Sequence, residues 1–312
     1  MKSDYEILLF YKYINIEDPE ELMQTQREMC TRLGLKCRTI IAHEGINGTL
    51  EGLKENTQKY IDEMSKDERF ADVHWKRSVG TETGDAFPRI NIKVRDEIVS
   101  LHVDGQEDVG PLNKLEDGRP ATAEYITADE LHDLLESDEE FYIIDMRNDY
   151  EHKIGYFENS VLPPMKNFRE LPDLVEYLND FKHKQVVTVC TGGIRCEKAS
   201  GFLLKLGFTN VRQLYGGIVT YMEKYPNEHF KGKLYVFDGR TKMGFKIDDE
   251  KHEVVGHCDR CGKISDNYVD CAYIYCQGHR HILCCEDCMH KSGIAFCSDL
   301  CEEKYFELGV EK

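Results

Sequence analysis

Nine of the thirteen cysteines in this 312-residue chain fall between residues 258 and 301, most of them in close pairs. No other feature restricts the fold more. The segment has little periodic apolar pattern, so it cannot build a conventional core and needs cross-links or metal to hold it. The N-terminus, MKSDYEILLFYKYINI, lacks a basic region followed by an apolar stretch and a small-residue cleavage site, so no secretory signal is expected. The expected compartment is the cytoplasm, where close cysteine pairs are metal ligands more often than disulfides. Cys258-x2-Cys261 and Cys285-x2-Cys288 are two hooks, each able to offer both sulfurs to one tetrahedral zinc from a tight turn. Cys271 and Cys276 lie between them, and Cys297-x3-Cys301 follows. An interleaved arrangement joins 258/261 with 285/288 and 271/276 with 297/301. His279, His281 and Cys284 are alternative ligands. Four protein ligands close a site against water, so the expected zinc is structural. Cys30 and Cys37 read as ordinary small core or near-surface residues.

The rest of the chain separates into two patterned regions. Residues 1–105 mix apolar strand-like runs (5–13, 36–42, 90–94 and 97–103) with helices over 18–33 and 55–66. That mixture predicts a small α+β domain of ferredoxin or acylphosphatase type. Residues 106–122, rich in Gly, Pro and acids, read as a linker. Residues 123–225 alternate strand and helix. Thr127 and Glu130 form a capping box; FYIIDM and QVVTVC are short buried strands; a helical stretch over 172–182 and EKASGFLLKLG supply helices; VRQL and the turn YGG follow. The expected class is α/β, a parallel sheet with helices on both faces. Residues 226–312 form the cysteine-rich tail. No apolar run approaches the length of a bilayer span, so no membrane partner is expected.

The sharpest chemical signal is VVTVCTGGIRCEKAS, residues 186–200. Cys190 sits where a buried strand ends and a helix is about to begin, the edge of a parallel sheet at which ligands bind. Thr191, Gly192, Gly193 and Ile194 let the backbone curl so that its N–H groups point inward. The next helix turns its positive end to the same point, and Arg195 adds a fixed cation. Together these favour a thiolate at Cys190, as a nucleophile requires, over a buried inert cysteine. Four residues separate Cys190 from Arg195. Cysteine-dependent phosphatases place five there, so this loop suits a single extra sulfur or a small intermediate better than a phosphate. Cys196 reads either as a resolving thiol or as a residue facing the helix interior.

CTGGIRCEKAS resembles the active loop of rhodanese-fold proteins and, more narrowly, that of the tRNA uridine hydroxylase family. AHEGINGTLEG (42–52), IDMRNDYEHKIGYFENS (144–160), QLYGGIVTY (213–221), GKLYVFDGR (232–240) and the terminal cysteine cluster resemble further motifs of that family. The resemblance implies a rhodanese domain whose essential cysteine, here Cys190, would in rhodanese chemistry carry a persulfide. It also implies oxygen-dependent hydroxylation of the wobble uridine in tRNA to 5-hydroxyuridine. Molecular oxygen is then a co-substrate, the tRNA anticodon region the partner, and no flavin or haem is expected. The residues themselves show no dinucleotide fingerprint and no iron facial triad. A thiolate route has Cys190 add to uracil C6, leaving an electron-rich C5 enolate to meet oxygen, with Arg195 and the loop N–H groups stabilising the oxyanion. Two rivals are a persulfide sulfurtransferase and a non-enzymatic RNA- or protein-binding adaptor.

Asp145 and Arg147, at a second strand end, border the same crevice or form a structural ion pair. His152 is expected on the surface. His43, Glu44, Asn47 and Thr49 occupy a Gly-punctuated turn and, with Lys93 and Arg95, are candidate RNA contacts. Lys76 and Arg77 are further candidate phosphate contacts beside Lys93 and Arg95, and for any one of these four a solvated surface charge is the more expected reading. The net charge of -18 excludes indiscriminate nucleic-acid binding, and no DNA partner is expected; any RNA site must be a local basic cleft.

Overall fold

Alternation along β1 (Tyr5–Tyr13) divides its side chains between two faces. Leu8 and Phe10 enter a core under two helices, while Leu9 and Tyr11 emerge on the other side. The computed structural model describes residues 3–101, 109–276 and 281–308. Helix α1 (Pro19–Arg32) starts where Asp18 accepts a hydrogen bond from the Glu21 N–H and Pro19 presets the first turn. Next come β2 (Lys36–Ala42), β3 (Gly45–Leu53), α2 (Lys54–Met64), β4 (Lys76–Val79) and β5 (Ile90–Val94). The sheet order is β4-β1-β3-β2-β5, antiparallel except for the parallel β2–β5 pair.

Two expectations are corrected here. Residues 97–101 are not a strand, and residues 102 and 103 of that expected strand lie outside the described residues. The Ile98 N–H donates to Glu44 at 2.7 Å, the Ile98 carbonyl accepts from Asn47 at 3.0 Å, and the Leu101 N–H donates to Glu97 at 3.0 Å. Side chains satisfy the backbone, so no ladder forms, and Ile98 and Leu101 are buried as plugs between units. The described part of the expected linker is also ordered. It carries a hairpin of β6 (Gly110–Lys114) and β7 (Pro120–Ala121), packed on the helix that follows the reactive loop.

The second unit runs β8 (Glu124–Ile126), α3 (Ala128–Leu135), β9 (Tyr142–Asp145), α4 (Asp149–His152), β10 (Gly155–Phe157), α5 (Val175–Leu178), β11 (Gln185–Val189), α6 (Ile194–Lys205), β12 (Asn210–Leu214) and α7 (Gly217–Lys224). The Thr127–Glu130 capping box opens α3 as expected. The helical stretch expected over 172–182 is broken, with α5 lying between short 3-10 turns. Four strands in the order β8-β12-β11-β9 pair in parallel. Val186 packs under α6 on one face, and Val187 and Val189 pack under α3 and α7 on the other.

The tail contributes β13 (Phe230–Gly232), β14 (Leu234–Tyr235), β15 (Lys242–Met243), β16 (Tyr268–Asp270), β17 (His281–Leu283) and α8 (Asp299–Glu307). Strand β13 pairs with β10, and Phe230 and Leu234 join the core of the parallel unit. Beyond them the apolar clusters among the described residues are small, and two of them are shared with cysteines. Among the described residues, no helix is long and apolar enough to cross a membrane.

Candidate active site

Cys190 follows the last residue of β11, and the backbone between it and α6 closes into a cradle around its sulfur. The Gly193 N–H donates to Sγ at 3.2 Å. Gly193 has φ +100, and a Cβ there would lie 2.9 Å from the Tyr11 hydroxyl, so the loop needs glycine for its curl and for its approach to β1. Helix α7, which sequence reading took only as a turn, pins the outer side. The N–H groups of Ile218 and Val219 bond the carbonyls of Cys190 and Thr191 at 2.9 and 3.1 Å.

Burial pushes the Cys190 thiol up, but the Cys196 thiol beside it, the Arg195 charge and the N–H groups of residues 195 and 196 outweigh this and bring it down to about 6. Cys196 itself is raised, by burial and then by the neighbouring sulfur. Arg195 has a partner that sequence reading missed. Glu151 of α4, fully buried, takes its two guanidinium nitrogens at 2.5 and 2.9 Å, and one of them also reaches the Thr191 hydroxyl at 3.2 Å. The Asn148-x-x-Glu151 capping pattern was the available signal.

Asp145 and Arg147 form an ion pair of 2.6 Å in which both side chains are 0% exposed. Arg147 also donates to the Gly155 carbonyl at 2.8 Å. Burial opposes the Asp145 charge, yet Arg147 and His152 hold its pKa below the ordinary carboxylate value. The pair ties β9 to β10 and does not line the cavity described below. His152 is buried 3.7 Å from Asp145, against the surface position expected, because α4 folds back over the end of β9.

The free face of the N-terminal sheet covers the loop. Tyr11 donates to Glu197 at 3.0 Å, and Tyr125, Thr122 and Gln213 converge on the same carboxylate. Lys198 joins Glu44 at 2.9 Å and Glu97 at 3.1 Å across the boundary. Lys76, expected as a solvated charge, is only 6% exposed. It pairs in register with Leu9, its ammonium lies 4.8 Å from the Tyr11 ring centroid, and it shares a small cavity with Thr191. Burial lowers it to about 8, although the negative charges of Cys190 and Glu197 act the other way.

Between the two units lies a cavity of about 410 Å³, with Cys190 and its loop on one wall. Arg38, Asn47 and Thr49 of the N-terminal sheet face it, and Asn148, Phe168 and Arg169 close the side. Of the candidate RNA contacts, Asn47 and Thr49 line this cavity and the others do not. Glu44 is taken up by Ile98 and Lys198, the His43 ring bonds the Ile16 carbonyl at 2.9 Å, Lys93 stands exposed on β5 and Arg95 stands exposed just after it. Arg38 alternates with the buried Cys37 along β2, a pattern visible in the sequence. Nothing in the polar run 76–79 marked Lys76.

In the tail, the sulfurs of Cys258, Cys261, Cys285 and Cys288 lie within 4.8 Å of one another, and so do those of Cys271, Cys276, Cys297 and Cys301. The closest pairs stand at 3.5 Å (Cys261–Cys285), 3.5 Å (Cys276–Cys297) and 3.4 Å (Cys297–Cys301). A tetrahedral zinc with Zn–S of about 2.3 Å sets its sulfurs roughly 3.8 Å apart, so both groups fit that ion. Cys284 lies outside both groups with its thiol toward the Cys285 carbonyl, and His281 pairs with Asp270 at 2.6 Å. His279 lies outside the described residues.

Three family models match along the chain: a UPF0176 acylphosphatase like domain over residues 5–98, a rhodanese-like domain over 127–224 and a rhodanase C-terminal region over 231–302. Proteins named tRNA uridine(34) hydroxylase from Bacillus licheniformis, Staphylococcus carnosus and Enterococcus faecalis are 39%, 40% and 42% identical to it. The matches cover 93%, 96% and 96% of this chain and 86%, 91% and 90% of theirs. The chain belongs to the tRNA uridine(34) hydroxylase family. In this family member the first two matched domains supply the two main walls of the cavity, Phe237 of the third region joins them, and that third region carries both sulfur groups.

Proposed function

We propose that this chain hydroxylates C5 of the uridine at tRNA position 34, with Cys190 as the nucleophile and molecular oxygen as co-substrate. The observation that carries the reading is the cavity itself. It opens beside Cys190, whose thiol the loop brings down to about 6, its volume falls in the range of small-molecule sites, about 300–1,000 Å³, and its walls mix amides, guanidinium groups and aromatic rings. Such a lining suits a base turned out of an anticodon loop, with Phe237, which is exposed, available for stacking and Arg38 and Arg169 for the flanking phosphates. Lys93 and Arg95 offer outer phosphate contacts. The Cys190 thiolate adds to uracil C6, and the electron pair moves through C5 toward O4. The loop N–H groups and the Lys76 cation favour negative charge at this point, while Arg195, held by Glu151, orients the loop. The two sulfur groups hold structural zinc, which supplies no step of the reaction. The setting is the cytoplasm, where tRNA is found.

Nucleoside mass spectrometry of tRNA from cells lacking the gene and complemented with either form tests the reading. Wild type is expected to restore 5-hydroxyuridine and Cys190→Ser to give none. Full product from Cys190→Ser would exclude the thiolate route. Thiosulfate:cyanide sulfur transfer without any change in the tRNA would favour a sulfurtransferase.

A further inference from the structure

Hydroxylation of C5 by dioxygen is a two-electron oxidation of uracil by a four-electron oxidant. Two further electrons must enter in every turnover. The fold places a matched pair of donors at the site. Cys196, in the first turn of α6, packs in the same buried cluster as Cys190, and both side chains are 0% exposed. Its position is fixed by the same loop, since the Cys196 N–H bonds the Gly193 carbonyl at 3.0 Å and the Gly193 N–H bonds Cys190 Sγ. The chain's other cysteines sit in the tail or, as Cys30 and Cys37, in the core beneath the N-terminal sheet. Cys190 borders the cavity and Cys196 does not. The pair therefore presents one sulfur to substrate and keeps one behind it.

We propose that Cys190 and Cys196 together supply the two electrons, closing to a disulfide once per turnover; this rests on the hydroxylase reading above. The Cys190 adduct at C6 leaves a C5 carbanion that takes up dioxygen and a proton to give a C5 hydroperoxide. Loss of the C5 proton expels Cys190 from C6 and restores the double bond. The freed Cys190 thiolate takes the distal oxygen, breaking the O–O bond and leaving C5–OH and a Cys190 sulfenic acid. The Cys196 thiol behind it then displaces water from the sulfenic acid, and the S–S bond forms. Overall, the C5–H bond, dioxygen and two thiols become C5–OH, one water and one disulfide. A thiol reductant reaching Cys190 through the cavity resets the pair.

Cys196→Ser separates this role from simple support of the thiolate, because a hydroxyl fills the place of the thiol but cannot close the disulfide. The full-length, zinc-loaded protein is reduced, freed of reductant without air, mixed with an anticodon stem-loop RNA and given one pulse of oxygen. Wild type is expected to form hydroxyuridine and the Cys190–Cys196 disulfide in equal amounts, read by non-reducing peptide mass spectrometry. Cys196→Ser should make its single-turnover product but stop with Cys190 as a sulfenic acid, trapped by dimedone, and with no disulfide, while the alkylation rate of its reduced Cys190 at neutral pH stays within about twofold of wild type. Product from Cys196→Ser without the Cys190 sulfenic acid, or wild-type product without the disulfide, overturns the proposal, and the wild-type stoichiometry decides the matter even if the variant folds poorly. Wild type making no hydroxyuridine even with added reductant would instead remove the hydroxylase reading, and the proposal with it.

Discussion

Arg195 lowers the Cys190 thiol even though Glu151 pairs with it, and Lys76 is a second cation that faces the same sulfur. It reaches the loop from the other domain, it is buried, and among the described residues no carboxylate forms an ion pair with it. Cys190 is protonated below about 6, and Lys76 loses its charge above about 8. The thiolate and the ammonium thus coexist between these values, and hydroxylation should follow a bell with its limbs there. Lys76→Met removes a positive neighbour, which disfavours the thiolate. The acid limb should move up in pH, with thiolate at pH 6 falling about three- to tenfold. Lys76→Arg keeps the charge at all accessible pH, so its alkaline limb should disappear. Iodoacetamide alkylation of Cys190 across pH reads the first limb, and kcat/KM reads both. Unchanged limbs in Lys76→Met would show that the amine merely fills space. At the same scale, Arg147→Met strands Asp145 in the interior. Denaturant unfolding should register a loss of about 3–5 kcal/mol, and a loss below 1 would mean that the pair is dispensable.

The loop depends on an element that sequence reading left as a turn. Gly217 opens α7 with φ +73, and a Cβ there would meet the Cys190 carbonyl oxygen and the Gly193 nitrogen, each at 2.6 Å. Gly217→Ala pays a left-handed penalty of about 1–2 kcal/mol and must also push the cradle aside. Displacing a nucleophile by an ångström costs about a hundredfold in rate. Activity should therefore fall about that much while the melting temperature drops by only a few degrees; equal activity would mean that the loop tolerates the shift. Some elements were legible because their periodicity is local: β1 and β2 from alternation, α3 from its capping box, and the strand before Cys190 from its apolar run. Others were not. Strand β4 is polar and exists because β1 offers an open edge, while the apolar run after residue 97 looked like a strand but is fastened by Glu44, Asn47 and Glu97. Cys190 could be found from its neighbours in sequence. Lys76, Glu151 and Arg38 become site residues only through tertiary packing, which brings three distant elements to one sulfur.

At the scale of the whole molecule, two kinds of bond do the work that one large core would do in a simpler chain. Buried polar contacts clamp the N-terminal sheet over the parallel unit, with Tyr11–Glu197 and the Lys198 pair of ion bridges crossing the boundary. The tail has no comparable core. Among the described residues its clusters are a few side chains each, and cysteines belong to two of them. Its root, β13 with Phe230 and Leu234, is built into the parallel unit, and Tyr235, Tyr268 and Leu283 pack on Ile154 and Tyr150 of that unit. If thiolate–zinc bonds stabilise the remainder, removing the ions should unfold the tail while the two α/β units stay intact. The purified protein is expected to hold two zinc ions per chain, one for each group of four sulfurs. A strong chelator at neutral pH should release both. Hydrogen exchange should then rise across 258–301 and stay low in β1, β3 and β11, whose stability rests on apolar burial. Acid should act like the chelator, since protons compete with zinc for thiolates. A protein that binds no zinc, or a tail whose amides stay protected after chelation, would show that packing alone holds the sulfurs together.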